Sequence, residues 1–112
     1  MGFLILIGCR SRHQSLELKR MVVRSKGAGF GRAALRVAKK VAFDDLGAHR
    51  LWLDVKAHNE GARALYDSEG FVVEGVLRES VRTDTGFQSL IVMSMLAPEF
   101  EARRTQGLEA HR

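Results

Sequence analysis

Residues 16–31 read LELKRMVVRSKGAGFG, a strand that runs through a glycine-rich turn into a helix. Leu16 and Leu18 share one face of the strand, but Met21, Val22 and Val23 are then consecutive, so the alternation changes phase. A β-bulge near Lys19 to Met21 accounts for the change, and bulges favour functional sites. The helix is predicted from about Gly31 to Leu46. Its apolar positions Ala34, Val37, Ala38 and Val41 follow the i, i+3, i+4, i+7 rule, with Arg32, Arg36, Lys39, Lys40 and Asp44 largely opposite. Gly47 is a natural stop. HRLWLDV (49–55) is the next strand, with Leu51, Leu53 and Val55 on one face, and a strand–helix–strand crossover of this kind makes the two strands parallel.

Working outward, FLILI (3–7) reads as a first strand, joined to the second by the polar turn CRSRHQS. Asn59 can cap a second helix that runs to about Glu69 and ends at Gly70. Strands over 71–81 and 87–96 form a hairpin through TDTG. The order is β-β-α-β-α-β-β, an α/β (α+β) domain with a mixed sheet flanked by helices. It occupies residues 1–97, and the polar residues 98–112 read as a frayed tail.

The chain has 112 residues, 46% hydrophobic and 28% charged, so a globular domain fits better than a disordered segment. A single cysteine, Cys9, excludes an internal disulfide framework and a multi-cysteine zinc cage, and the four histidines have no metal-ligand spacing. The apolar run Gly2 to Ile7 is too short to span a bilayer or to form a signal-peptide core. The expectation is a cytoplasmic chain with no metal and no membrane partner. Charge is uneven: residues 1–50 carry eleven Lys/Arg against three Asp/Glu, a net of +8, and residues 51–112 carry seven against ten, a net of −3. The basic half suits an anionic partner. With one Trp, one Tyr and six Phe there is little aromatic interleaving for stacking bases, so nucleic acid is not expected.

Lys26, Gly27, Ala28, Gly29, Phe30 and Gly31 stand where backbone N–H groups and a helix dipole bind phosphate, and glycine lets the main chain approach the anion. A dinucleotide fingerprint would need glycine where Arg32 stands, and a P-loop would need Gly-Lys-Ser/Thr where Gly31-Arg32-Ala33 stands. The pattern Q/R-x-x-G-x-G/A is met by Lys26 in the Gln/Arg place with Gly29 and Gly31, and it resembles the pyrophosphate loop of the GNAT acetyltransferase superfamily. One strand later, NEGARALYDSEGF (59–71) resembles the family pattern N-x-x-A-x-x-L-Y-x-x-x-G-F at Asn59, Ala62, Leu65, Tyr66, Gly70 and Phe71. The flanking HRLWLDV and VVEGVLRES are similar to the branch of ribosomal-protein N-terminal and polyamine acetyltransferases. The resemblance covers residues 2–97.

The resemblance implies an acetyl-CoA-dependent N-acetyltransferase acting on a primary amine, either a protein N-terminus or a small molecule. It places backbone amides from Gly27 to Gly31, with Arg32, around the pyrophosphate of coenzyme A, and main-chain groups of Met21 and Val23 beside the pantetheine. Asn59 would hydrogen-bond the pantetheine arm and Tyr66 would face the thioester sulfur. Direct attack of an amine on a thioester needs a proton for the departing thiolate, which a phenol can donate. Without the resemblance, Tyr66 reads as a core aromatic and Asn59 as a helix cap. Glu17, beside the acyl site, is the candidate general base; its plainer reading is a solvated strand carboxylate. The N-terminal third of the usual family domain, which supplies much of the acceptor groove, does not precede GFLILIG here. A silent coenzyme A-binding or interaction module is therefore the alternative. The uncharged strand FLILI would lie at or near a sheet edge, an open template for pairing, so a homodimer is expected.

Overall fold

Period-two alternation builds the centre of the molecule. In the computed structural model, which describes residues 2–8, 12–23 and 28–109 and only the backbone of 2–5, 20–23 and 28–30, five strands form one mixed sheet. They are β1 (Gly2–Ile7), β2 (Ser15–Val23), β3 (Arg50–Lys56), β4 (Val72–Thr83) and β5 (Gly86–Leu96), in the spatial order β1-β2-β3-β5-β4. β2 and β3 are parallel, as the crossover requires, and the other neighbours are antiparallel. Leu16 and Leu18 of β2, Leu51, Leu53 and Val55 of β3, and Ile91, Met93 and Met95 of β5 turn one face of the sheet into the core.

The expected bulge is present. Ile5 pairs with Arg20 and Leu6 with Leu18, leaving Lys19 as the extra residue. On the other side, β2 pairs with β3 only at Ser15–Arg50, Leu16–Leu51 and Glu17–Trp52. Beyond Glu17 the two parallel strands part, and the edge of β2 facing β3 has no strand partner among the described residues.

Helix α1 spans Ala28–Lys40 and continues as a π-helical turn, Val41–Asp45. It starts three residues earlier than its apolar pattern suggests, so Gly29 and Gly31 lie inside its first turn rather than ahead of it. The N–H groups of a first turn have no intrahelical acceptor, which makes glycine tolerable there. The buried stripe is also rotated from the expected one. Leu35, Ala38, Lys39 and Ala42 are buried, while Val37 is 57% exposed.

Helix α2 spans Glu60–Ser68. Gly31 faces Leu65 across the two helices, where an added Cβ would lie 3.7 Å from Leu65 Cδ2. Gly70 ends α2 with φ of +96°, a left-handed conformation that favours glycine, and a Cβ there would also displace the ends of the Met95 and Arg103 side chains.

The segment after Leu96 is not a frayed tail. It forms helix α3 (Ala97–Thr105), because Pro98 suits a first turn, Glu99 accepts from the Leu96 N–H at 2.8 Å, and Phe100 finds a core site. The Phe100 ring stacks on Phe43 at 4.9 Å and is 2% exposed. Arg104 lies over the Phe100 ring and pairs with Asp44. No helix among the described residues is long and apolar enough to cross a membrane.

Candidate active site

The parting of β2 from β3 opens a cleft of about 420 Å³, within the usual range for small-ligand sites. Leu18 and Lys19 line one side of it, Leu53 to Lys56 the other, and Asn59, Ala62 and Tyr66 of α2 close it. Because the gap lies between strands, it draws on both faces of the sheet. Leu53 and Val55 come from the buried face, Asp54 and Lys56 from the exposed one.

Tyr66 is held by packing: its ring meets Phe71 at 6.1 Å and 59°. Burial pushes its phenol above the usual tyrosine range, and the negative charge of Asp54 adds to the shift. The hydroxyl therefore keeps its proton at neutral pH and can give it to a developing anion in the cleft. Asn59 caps α2, its Oδ1 accepting from the Ala62 N–H at 3.1 Å. The capping reading is thus correct for its oxygen, and its amide nitrogen remains as a donor at the cleft wall.

Glu17 stands where the strands still pair, opposite Trp52, with Lys19 3.8 Å away, and it does not line the cleft. Asp54 does line it. Sequence reading passed over Asp54 because alternation assigns it to the face opposite Leu51, Leu53 and Val55. The signal was available in the bulge: a strand that leaves its neighbour exposes that neighbour's outward side chains to the gap.

The phosphate-binding expectation is only partly within view. Lys26 and Gly27 lie outside the described residues, and Ala28, Gly29 and Phe30 are described by backbone alone, as the first turn of α1. Met21 and Val23 are described by backbone too, paired with Leu4 and Gly2 on the β1 side. Arg32 has protein partners of its own. Its guanidinium donates to Glu69 Oε2 at 2.7 Å and to Ser68 Oγ at 2.9 Å, at the far end of α2.

Arg32 belongs to a larger cluster. Glu69, 1% exposed, also accepts from Arg36 at 3.0 and 3.1 Å and from Lys39 at 3.1 Å. Lys39, fully buried, donates further to the Glu69 carbonyl at 2.9 Å and to Glu109 Oε2 at 2.6 Å, and Arg103 reaches the same Glu109 oxygen at 2.5 Å. The cluster fastens α1, whose first turn carries Gly29 and Gly31, to the end of α2, whose Tyr66 lines the cleft.

Comparison with known proteins gives this arrangement its family. The Acetyltransferase (GNAT) family pattern matches residues 2–71. The chain belongs to the GNAT acetyltransferase family. A spermidine N(1)-acetyltransferase of Vibrio cholerae serotype O1 is 30% identical over 100 residues, which are 88% of this chain and 58% of that protein. Among solved structures, a chimera of the Vibrio cholerae spermidine N-acetyltransferase SpeG and hSSAT superimposes with a TM-score of 0.85 at 30% identity, covering 91% of this chain and 64% of that one. A mutant form of the Vibrio cholerae spermidine/spermine N-acetyltransferase SpeG gives 0.87 at 29%, covering 93% and 61%. The GNAT fold anticipated from the sequence is therefore present, and the chain spans under two thirds of these relatives' lengths.

Proposed function

We infer that this GNAT domain binds acetyl-CoA in the cleft between β2 and β3 and transfers the acetyl group directly to a primary amine. The observation that carries the reading is Tyr66: a protonated, half-buried phenol aimed into a cleft that two parted strands open. The unpaired edge of β2, including the backbone of Met21 and Val23, can hydrogen-bond the amides of an extended pantetheine arm, and the Asn59 amide nitrogen can add a donor. The first turn of α1, Ala28, Gly29, Phe30 and Gly31, offers N–H groups for the pyrophosphate, and Lys26 and Gly27 precede it directly in sequence. Acetyl-CoA supplies an activated thioester. The residues of this chain hold it, exclude water around the carbonyl and return a proton to sulfur through Tyr66. Asp54 replaces Glu17 as the carboxylate to accept the amine's proton, because Asp54 lines the cleft that Tyr66 lines.

The named Vibrio relatives point to a polyamine acceptor, and a protein N-terminus is the other amine of the same chemistry. A cytoplasmic setting suits a reaction that consumes acetyl-CoA. The test of binding is Gly29→Val, which puts a branched side chain in the first turn of α1 where the pyrophosphate would approach. Calorimetry is expected to show loss of acetyl-CoA affinity in the folded variant, and unchanged affinity would refute the assignment. If acetyl-CoA binds but no thiol is released with spermidine or with an N-terminal peptide, the silent coenzyme A-binding module is the correct reading.

A homodimer through β1 is part of the same proposal. β1 lies at the edge of the sheet with one hydrogen-bonding side unpaired by any described strand. Light scattering at micromolar concentration is expected to give twice 12.5 kDa. Replacing Leu4 and Leu6 by Lys should return the monomer, and a monomeric parent chain would overturn the idea.

A further inference from the structure

The cleft has an amine of its own. Lys56 ends β3, is exposed and lines the same cleft as Tyr66, and its side-chain ammonium has no hydrogen-bond or ion-pair partner among the described residues. Asp54, two residues earlier on the same strand face, lines it too. Each other described lysine is engaged or elsewhere. Lys19 lies 3.8 Å from the Glu17 carboxylate, Lys39 is sealed between Glu69 and Glu109, and Lys40 pairs with Asp44 at 3.5 Å on the far end of α1.

We propose that Lys56 is a self-acetylation site, an acceptor built into the cleft. The inference rests on the reading of this cleft as the acetyl-CoA site. Backbone attachment holds the ε-amine near the thioester, and that proximity substitutes for binding an acceptor. The Lys56 nitrogen forms a bond to the acetyl carbonyl carbon, the carbon–sulfur bond breaks, and the thiolate takes the Tyr66 hydroxyl proton. Of the two protons that the Lys56 ammonium sheds, one leaves through Asp54 to solvent and the other replaces the one Tyr66 gave. The products are an amide at Lys56 and free coenzyme A. The modified side chain has lost its positive charge, so the electrostatics of the cleft change after one turnover.

The experiment incubates the full chain with acetyl-CoA and no added amine, then maps acetylation by peptide mass spectrometry over time. Lys40 serves as the internal reference for uncatalysed chemical acetylation. Lys56 is expected to gain one acetyl group at least about tenfold faster than Lys40, with a rate that saturates in acetyl-CoA and does not depend on protein concentration. In Tyr66→Phe the Lys56 rate should fall toward the Lys40 rate, while the Lys40 rate stays the same. Equal rates at the two lysines, or a Lys56 rate untouched by Tyr66→Phe, would overturn the proposal. So would a Lys56 rate proportional to protein concentration, which marks transfer between molecules. Calorimetry on the same sample separates the two layers: acetyl-CoA that binds without modifying Lys56 defeats this inference alone, and acetyl-CoA that does not bind defeats the cleft assignment as well.

Discussion

Tyr66→Phe is expected to lower kcat for acetyl transfer by roughly 10²-fold or more while leaving acetyl-CoA affinity almost unchanged. The substitution removes one hydroxyl and keeps the ring that packs on Phe71, so the fold loses little. What it removes is the only phenol in the chain, and that phenol stays protonated because burial and the charge of Asp54 oppose its ionisation. A thiolate leaving in that variant then has to take its proton from water. The split between kcat and binding is the informative readout. Comparable turnover in a Tyr66→Phe protein with a lowered thermal midpoint would assign the residue to packing instead.

Glu69→Ala should be the most damaging single change to stability. Its carboxylate is 1% exposed and neutralises Arg32, Arg36 and Lys39 together, and Lys39 has no route to water. Breaking a buried ion pair by removing one partner typically costs about 3–5 kcal/mol, because a charge is left without compensation. Against a total of about 5–15 kcal/mol for a domain, that is a large share. Glu109 still meets Lys39, which keeps the loss within that range. The same group predicts an acid response. Burial works to raise the Glu69 value, but hydrogen bonds from Arg36, Arg32 and Lys39 outweigh it and hold the carboxyl at about 2. A folded-state value below the unfolded one means that the contribution is complete at neutral pH and disappears as pH falls from the ordinary carboxylate range toward about 2. Urea midpoints measured across that range should drop steeply in the parent chain and much less in Glu69→Ala. Equal midpoints for the two proteins at pH 7 would show that the cluster carries no stability.

The strands and their order along the chain could be read in advance because alternation is a local property, whereas the pairing of β3 with β5 was not read. The bulge was readable for the same reason, since Met21, Val22 and Val23 cannot all face one way in a regular strand. Asn59 and Tyr66 came from the resemblance to the GNAT pattern, not from their spacing alone, and both line one cleft. What escaped depends on partners far along the chain. Lys39 is charged and falls on the polar side of the helical pattern, yet it is buried, because Glu69 and Glu109 lie 30 and 70 residues away in sequence. That pairing rotates the buried stripe of α1 and leaves Val37 outside. Phe100 stood as a lone aromatic in a polar run, too little periodicity to announce a helix; its ring needs Phe43, which only the folded chain supplies. Arg32 was named through the resemblance, and its bond to Glu69, just past the end of α2, could not be read from the sequence. Asp54 was invisible as a site residue until the strands were seen to part.

The partnership of Lys39 with Glu109 sets an order of events during synthesis. The ammonium leaves the ribosome 70 residues before the glutamate that completes its surroundings, on the order of ten seconds at bacterial or eukaryotic elongation rates. Glu69 arrives in between, so the nascent helix can be half-neutralised but not sealed. The sheet also lacks β5, its second central neighbour for β3, until residue 96 has emerged. A growing chain therefore cannot complete this core at the glycine-rich crossover; that waits for α3 and the residues just after it, which bring Phe100, Arg103 and Glu109 to their partners.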